Sequence, residues 1–135
     1  MTPRTRRRVF LREAMLSLLL ARLAVRVLPS AFIFNWADRP MKRLCRFTGD
    51  DADWIAWAIE HAATLPGMRA PCLPQALAAH AMLRRRSITS RLCLGVAREG
   101  GNVTAHAWVE SGGRRVIGGA EAGSFTRLAT FGHAT

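Results

Sequence analysis

The hydrophobic periodicity of the chain changes once, across residues 87–90. Before this point, apolar residues recur with the 3.6-residue period of helices; after it, apolar and small residues alternate in the runs 92–97 and 103–110. A glycine-containing turn at 99–102 separates these two runs, and shorter strand candidates follow at 114–117 and 125–128. Short strands joined by tight turns favour antiparallel pairing. The pattern therefore predicts an α+β fold, with N-terminal helices packed on a small C-terminal antiparallel sheet.

Three helical stretches are predicted before the change. The first covers 9–28 and ends before Pro29. The second begins at the capping signal 48–51 and ends near Thr64, and the third begins at Cys72. The predicted apolar stripe of the second helix consists of Trp54, Trp57, Ala58, His61, Ala62 and Leu65. The spacing of these helical stretches divides one compact domain into an N-terminal helix with its connector, 1–47, and a core, 48–135.

The charge of the chain is strongly positive, at +11, and nineteen of its twenty basic residues are arginine. Such a charge favours acidic partners of any kind, whether nucleic acid, anionic lipid or an acidic peptide. The arginines are scattered, and no recognised nucleic-acid motif accompanies them, which argues against nucleic-acid binding. The run 84–86 is interpreted as a solvated helix end, where the helix dipole favours cations. A basic nucleic-acid-binding protein remains the non-enzymatic alternative.

The three cysteines, Cys45, Cys72 and Cys93, include no CxxC pair. This pattern disfavours both a disulfide framework and a zinc site, and it indicates a reducing, cytoplasmic setting with no metal and no cofactor. Charged residues such as Arg12 and Arg22 interrupt the apolar 9–28 stretch. Neither a signal-peptide core nor a membrane span is therefore predicted, and membrane association is not expected.

One cysteine and one histidine are placed where chemistry is possible. Cys72 opens a helix, where unpaired backbone N–H groups and the dipole favour thiolate over thiol. His106 lies in an alternating strand, where it shares a face with Trp108 and Glu110. Spacing alone leaves two interpretations open. Cys72 and His106 form a nucleophile and base with Trp108 as a substrate-binding wall, or His106 is a buried histidine.

A resemblance favours the first interpretation. Cys72-Leu73-Pro74-Gln75-Ala76-Leu77 and Ala105-His106-Ala107-Trp108-Val109-Glu110, in this order and spacing, resemble the lasso-peptide leader peptidases of the transglutaminase-like superfamily. The likeness runs from about Trp54 to Phe131. It implies a papain-like or transglutaminase-like arrangement, in which Cys72 is the nucleophile of a cysteine peptidase and His106 is its base.

The chain departs from the family pattern at the third catalytic position. The resemblance implies an acid about a dozen residues after the histidine, but 117–120 reads Ile-Gly-Gly-Ala. Glu121 is the nearest carboxylate and is the candidate third member, and a backbone carbonyl is the alternative partner of the imidazole. Glu110 lies four residues along the strand from His106, too far for a direct bond. Gly118→Asp is expected to restore the acid if the backbone there tolerates a side chain.

The resemblance also implies partners. The expected substrate is a ribosomally made lasso-peptide precursor whose leader is removed, and the expected partners are a separate leader-recognition protein and an ATP-dependent macrolactam cyclase. The 9–28 helix with its arginines is the candidate docking surface. A transglutaminase-like acyltransferase, which passes the acyl group to an amine instead of water, is the enzymatic alternative and needs a site that excludes water.

Overall fold

The computed structural model describes residues 2–39, 49–118 and 126–132. Four helices come first and four strands follow, which confirms the predicted α+β class. The elements, in chain order, are α1 (Pro3–Val27), α2 (Ser30–Ala37), α3 (Gly49–Ala62), α4 (Cys72–Arg85), β1 (Arg91–Glu99), β2 (Asn102–Ser111), β3 (Arg114–Ile117) and β4 (Thr126–Phe131).

The strands form one antiparallel sheet in the order β3-β2-β1-β4. In the β1–β2 pair, Gly95 lies opposite His106 and Cys93 lies opposite Trp108. The turn of this hairpin holds Gly100 and Gly101 at φ +56° and +88°, a conformation that only glycine adopts without cost. The hairpin register therefore decides which residues of β1 stand beside the histidine.

The main hydrophobic core lies between the helices and one face of the sheet. Ala107 and Val109 of β2 face this core, and α4 packs on β2 through a run of buried residues that includes Ala76 and Ala79. Because alanine side chains are short, the α4 backbone approaches the strands closely. Alternation along β2 then points His106, Trp108 and Glu110 to the opposite face.

The first helix begins earlier than its apolar pattern predicts. Thr2 is its N-cap, and the hydroxyl of Thr2 accepts a hydrogen bond from the backbone N–H of Thr5 at 3.2 Å. Pro3 follows at the first helical position, where a missing N–H costs nothing. These two residues extend the helix through the arginine-rich segment. Its end before Pro29 agrees with the prediction.

The buried stripe of α3 differs from the predicted one by about one residue of rotation. Ile55, Ala58 and Ile59 are fully buried, whereas Trp54 and Trp57 are only partly buried. The guanidinium groups of Arg6 and Arg7 on α1 lie 5.6 Å and 5.0 Å from the centroids of the Trp54 and Trp57 rings. Large amphipathic rings serve at the edge of a core, where cations cover their faces, and the branched isoleucines fill the centre.

A buried histidine joins the second and fourth helices. Nε2 of His80 donates to the carbonyl oxygen of Ala37 at 2.9 Å, so Nδ1 accepts from the hydroxyl of Ser90 at 2.8 Å. Burial lowers the pKa of His80 to about 4, and the nearby charge of Arg84 adds to this, against a smaller opposing effect of the Ala37 hydrogen bond. The ring is therefore neutral at pH 7 and ties the end of α2 to α4.

The arginines at the end of α4 form hydrogen bonds to other parts of the protein, so the prediction of a solvated helix end is wrong in part. Arg85 and Arg86 both donate to Glu13 of α1, at 3.0 Å and 2.9 Å. Arg84 donates to the carbonyl oxygen of Arg39 at 2.8 Å. The interpretation failed because the sequence does not show that α1 places a carboxylate at this helix end.

Candidate active site

Cys72 is the first residue of α4. Pro71, its N-cap, has extended backbone angles and supplies no side-chain hydrogen bond, and the first turn of the helix contains no acidic residue. The side chain of Gln75 reaches back to the carbonyl oxygen of Ala70 at 2.8 Å and closes the loop before the helix. Cys72 is partly buried and packs against the main core. The thiol thus stands at the positive end of a helix dipole with no carboxylate from its own first turn beside it.

His106 is partly buried on β2, and its ring contacts the end of β3. Nε2 of His106 lies 3.3 Å from the carbonyl oxygen of Gly118. A carbonyl oxygen can only accept a hydrogen bond, so Nε2 carries the proton in this pair. In the neutral ring, Nδ1 then holds a lone pair, which is what a general base requires.

Gly118 lies where the resemblance to leader peptidases led us to expect an acid. Its φ is +71°, and a Cβ added there would lie 3.0 Å from the carbonyl oxygen of Ala107 and 3.2 Å from Nε2 of His106. Both the backbone angle and the close approach strain a side chain at this position. The condition attached to Gly118→Asp, that the backbone tolerates a side chain, is therefore met only at a cost in stability.

Trp108 lies next to His106 on the same face of β2. The centroids of the two rings are 6.2 Å apart and their planes differ by 22°. The indole is 1 % exposed and forms a small second core with Cys93 of β1. Burial raises the pKa of the Cys93 thiol, and the charge of Glu110 adds to this, so Cys93 is suited to packing and not to nucleophilic chemistry.

Glu110 holds this second face of the sheet together. Its carboxylate accepts from Nε1 of Trp108 at 3.1 Å, from Arg91 at 3.2 Å and from Arg127 at 2.5 Å. The three donors come from β2, β1 and β4. The sequence shows that Glu110 shares the face of Trp108, but only the sheet order reveals its two arginine partners.

The structure thus brings His106, Trp108 and Glu110 together, and Gly118 with them. Cys72 borders the main core on the helical side of the sheet, whereas Trp108 and the imidazole lie on the other side. The catalytic roles of Cys72 and His106 and the substrate-binding role of Trp108 stay predictions. Glu121 and Cys45 lie outside the described residues. Within the described ranges, no cluster of three His, Cys, Asp or Glu residues could hold a metal ion.

Comparison with known families decides the general class. The family model described as the transglutaminase-like superfamily matches residues 15–130 of the chain. The chain belongs to the transglutaminase-like superfamily. No curated protein and no solved structure matches the chain significantly.

Membership of the transglutaminase-like superfamily supports chemistry of the cysteine peptidase or acyltransferase type. The matched region contains both Cys72 and His106, together with all four strands up to residue 130 of β4. Among the parts of the chain that the structure describes, no helix is long and apolar enough to cross a bilayer.

Proposed function

We propose that this protein is a cysteine peptidase that removes the leader from a ribosomally made lasso-peptide precursor. One observation carries the proposal beyond the superfamily. The CLPQAL sequence stands at the start of α4, and the AHAWVE strand presents a histidine whose Nε2 is hydrogen-bonded to the Gly118 carbonyl. These are the two motifs whose order and spacing resemble the leader peptidases.

The proposed reaction uses Cys72 and His106 as nucleophile and base. Nδ1 of His106 accepts the thiol proton, and Sγ of Cys72 attacks the carbonyl carbon of the scissile peptide bond. The tetrahedral intermediate collapses as the imidazolium gives its proton to the leaving amine, which releases the core peptide and leaves a leader thioester. Water, deprotonated by the same imidazole, hydrolyses the thioester and regenerates the thiol.

The Gly118 carbonyl replaces the missing acid in orienting the base. It holds the Nε2–H tautomer as a carboxylate does, but it carries no full negative charge. The imidazolium that forms during acyl transfer is therefore stabilised less than it is in a triad with an acid. We expect a slow enzyme, which is sufficient for a single cleavage per precursor molecule.

The proposal requires Sγ of Cys72 and Nδ1 of His106 to approach within about 3 Å in the substrate complex. Cys72 packs on the helical side of β2, and the His106 ring is held on the side of Trp108. The pairing therefore requires the start of α4 or the His106 side chain to change position when the substrate binds. The dependence of thiol alkylation on His106 therefore tests the pairing directly.

An exposed apolar surface supports the proposed assistance by a leader-recognition protein and a cyclase. The outward face of α1 and α2 exposes large apolar side chains, with Leu16 60 %, Leu23 58 % and Phe32 58 % exposed. Beside them, an apolar groove of about 270 Å³ lies between α1, α2 and α4. Exposed apolar patches of this kind are typical of protein interaction sites. The margin of α1 carries Arg8, Arg12 and Arg26, all exposed, which suits an acidic partner.

The experiment is cleavage of a precursor in the presence of its leader-binding partner, followed by mass spectrometry. Cys72→Ala and His106→Ala are each expected to abolish leader removal and leave the circular dichroism spectrum unchanged. Cys45→Ala is the matched control and should remain active. Full cleavage by folded Cys72→Ala would refute the assignment.

The same assay separates peptidase from acyltransferase. With an added primary amine, a hydrolase yields the free leader acid, whereas an acyltransferase yields the leader amide. Predominance of the amide at millimolar amine would favour the acyltransferase alternative.

A further inference from the structure

We infer that Glu110 is a positioning residue for His106 and that it acts through Trp108. The catalytic meaning of this inference rests on the proposed function, because His106 matters to the rate only if it is the base. The geometry on which it stands is independent of that function.

The carboxylate of Glu110 is restrained on every side. Its side chain is 12 % exposed, and it accepts from Arg91 of β1 and Arg127 of β4, as well as from the indole N–H of Trp108. The two arginines fix the direction of the carboxylate. Since Nε1 of Trp108 can donate only one hydrogen bond, its bond to this carboxylate sets where the indole ring points.

The indole lies over Gly95 of the neighbouring strand. A Cβ added to Gly95 would stand 2.9 Å from two carbons of the Trp108 ring and 2.8 Å from the carbonyl oxygen of Thr126. Gly95 is also the direct cross-strand partner of His106. The ring of Trp108 therefore fills the space that a side chain at position 95 would otherwise occupy, beside the imidazole.

The guanidinium of Arg127, on β4, also contacts the Trp108 indole. It binds Glu110 and also lies 5.7 Å from the Trp108 ring centroid. Three contacts thus hold the indole: its N–H donates to Glu110, its ring packs on Gly95, and the Arg127 guanidinium lies near its face. A side chain that is 1 % exposed offers a substrate little surface, which suits a positioning role, whereas the substrate contact of Trp108 stays a prediction.

Gly118 and Trp108 are both among the groups that contact the imidazole of His106. The Gly118 carbonyl contacts Nε2 at the ring edge, and the Trp108 indole stacks beside the ring. The preceding residues of β2, from Asn102 to Ala105, are exposed and give the histidine little packing. Loss of the indole position should therefore allow the imidazole to leave its present orientation.

The test is a double-mutant cycle between Glu110→Gln and Trp108→Phe, with single-turnover cleavage as one readout. Each single change should lower kcat about tenfold and leave KM within about twofold, because only the base is affected. If Glu110 acts through Trp108, the double variant should be no slower than Trp108→Phe alone. Additive losses would overturn the inference, since they would mean that Glu110 acts by another route.

A second readout needs no substrate. The Cε1 proton of His106 should show a ring-current shift from Trp108 in the wild type, and Glu110→Gln should reduce the shift and broaden the resonance. Glu60→Gln, at an exposed position on α3, is the matched control and should change neither readout. A His106 resonance that is unchanged in Glu110→Gln would overturn the inference.

A milder variant separates a loss of positioning from a loss of stability. Arg127→Gln removes one of three donors at a partly exposed position on β4, so it should fold even if Glu110→Gln does not, and a loss of about threefold in kcat is expected. If Glu110→Gln changes the His106 resonance but the wild type does not cleave the precursor, the proposed function fails and the positioning role stands. If Cys72→Ala abolishes cleavage while Arg127→Gln and Glu110→Gln have no effect, the positioning fails and the function stands.

Discussion

The carbonyl oxygen of Gly118 lies 3.3 Å from Nε2 of His106, twelve residues further along the chain, where the resemblance to leader peptidases led us to expect an acid. The backbone can approach this closely because Gly118 has no Cβ and adopts φ +71°. The imidazole therefore has a partner that fixes its tautomer without a third side chain. This pairing determines what substitutions around it should do.

Gly118→Asp should not restore a triad. A side chain at φ +71° costs about 1–2 kcal/mol, and its Cβ would also crowd the Ala107 carbonyl and the His106 ring. We expect lower stability in urea unfolding and a slower single-turnover rate. Gly118→Ala should show the same loss of stability, which separates the effect of the backbone from that of the carboxylate. A faster Gly118→Asp enzyme would contradict this account.

Glu121→Gln should change the cleavage rate by less than about threefold. If the Gly118 carbonyl orients His106, a carboxylate at residue 121 has no part in holding the tautomer. If Glu121 instead stabilises the imidazolium, the amide should slow the reaction severely with little effect on KM. Single-turnover rates for the wild type and this variant distinguish the two cases.

Cys72 and Cys93 should differ strongly in reactivity. Cys93 is fully buried, and its pKa is raised by burial and by Glu110, so iodoacetamide should leave it unmodified in the native protein. Cys72 is partly exposed at a helix start and should be alkylated first. Peptide mapping by mass spectrometry measures both sites. Slower alkylation of Cys72 in His106→Ala would support the pairing, and an unchanged rate would count against it.

The stability of the protein should fall between pH 6.5 and about 4 because of His80. Burial lowers its pKa in the folded state to about 4, whereas the unfolded chain protonates it near the ordinary value of 6.5. Across this window the unfolded state binds one proton more, so stability falls as the pH falls, by up to about 3 kcal/mol, and levels off below pH 4. Urea unfolding at several pH values measures the loss. In His80→Gln, this part of the pH dependence should disappear.

Glu13→Gln should destabilise the protein by about 1–2 kcal/mol at pH 7, because Arg85 and Arg86 would lose a charged acceptor. Burial alone raises the pKa of Glu13, but hydrogen bonds from Arg86 and Arg85 outweigh it and lower the pKa overall. The contribution is therefore complete at neutral pH and is lost as the pH falls through the lowered value. Glu60→Gln, on an exposed part of α3, should change the free energy of unfolding by less than about 0.5 kcal/mol.

The sequence by itself determined the α+β class, the helix starting at Cys72 and the face that His106 shares with Trp108. Each of these depends on local periodicity or on a cap, which neighbouring residues set by themselves.

Only the tertiary structure decided the contacts between distant segments. The sheet order brings Arg91 and Arg127 to Glu110, and the end of β3 brings the Gly118 carbonyl to His106. The packing of α1 turns the tryptophans of α3 to the edge of the core and places Glu13 at the arginines of α4. Such contacts join residues far apart in the chain, and the energy of each depends on a geometry that no local pattern encodes.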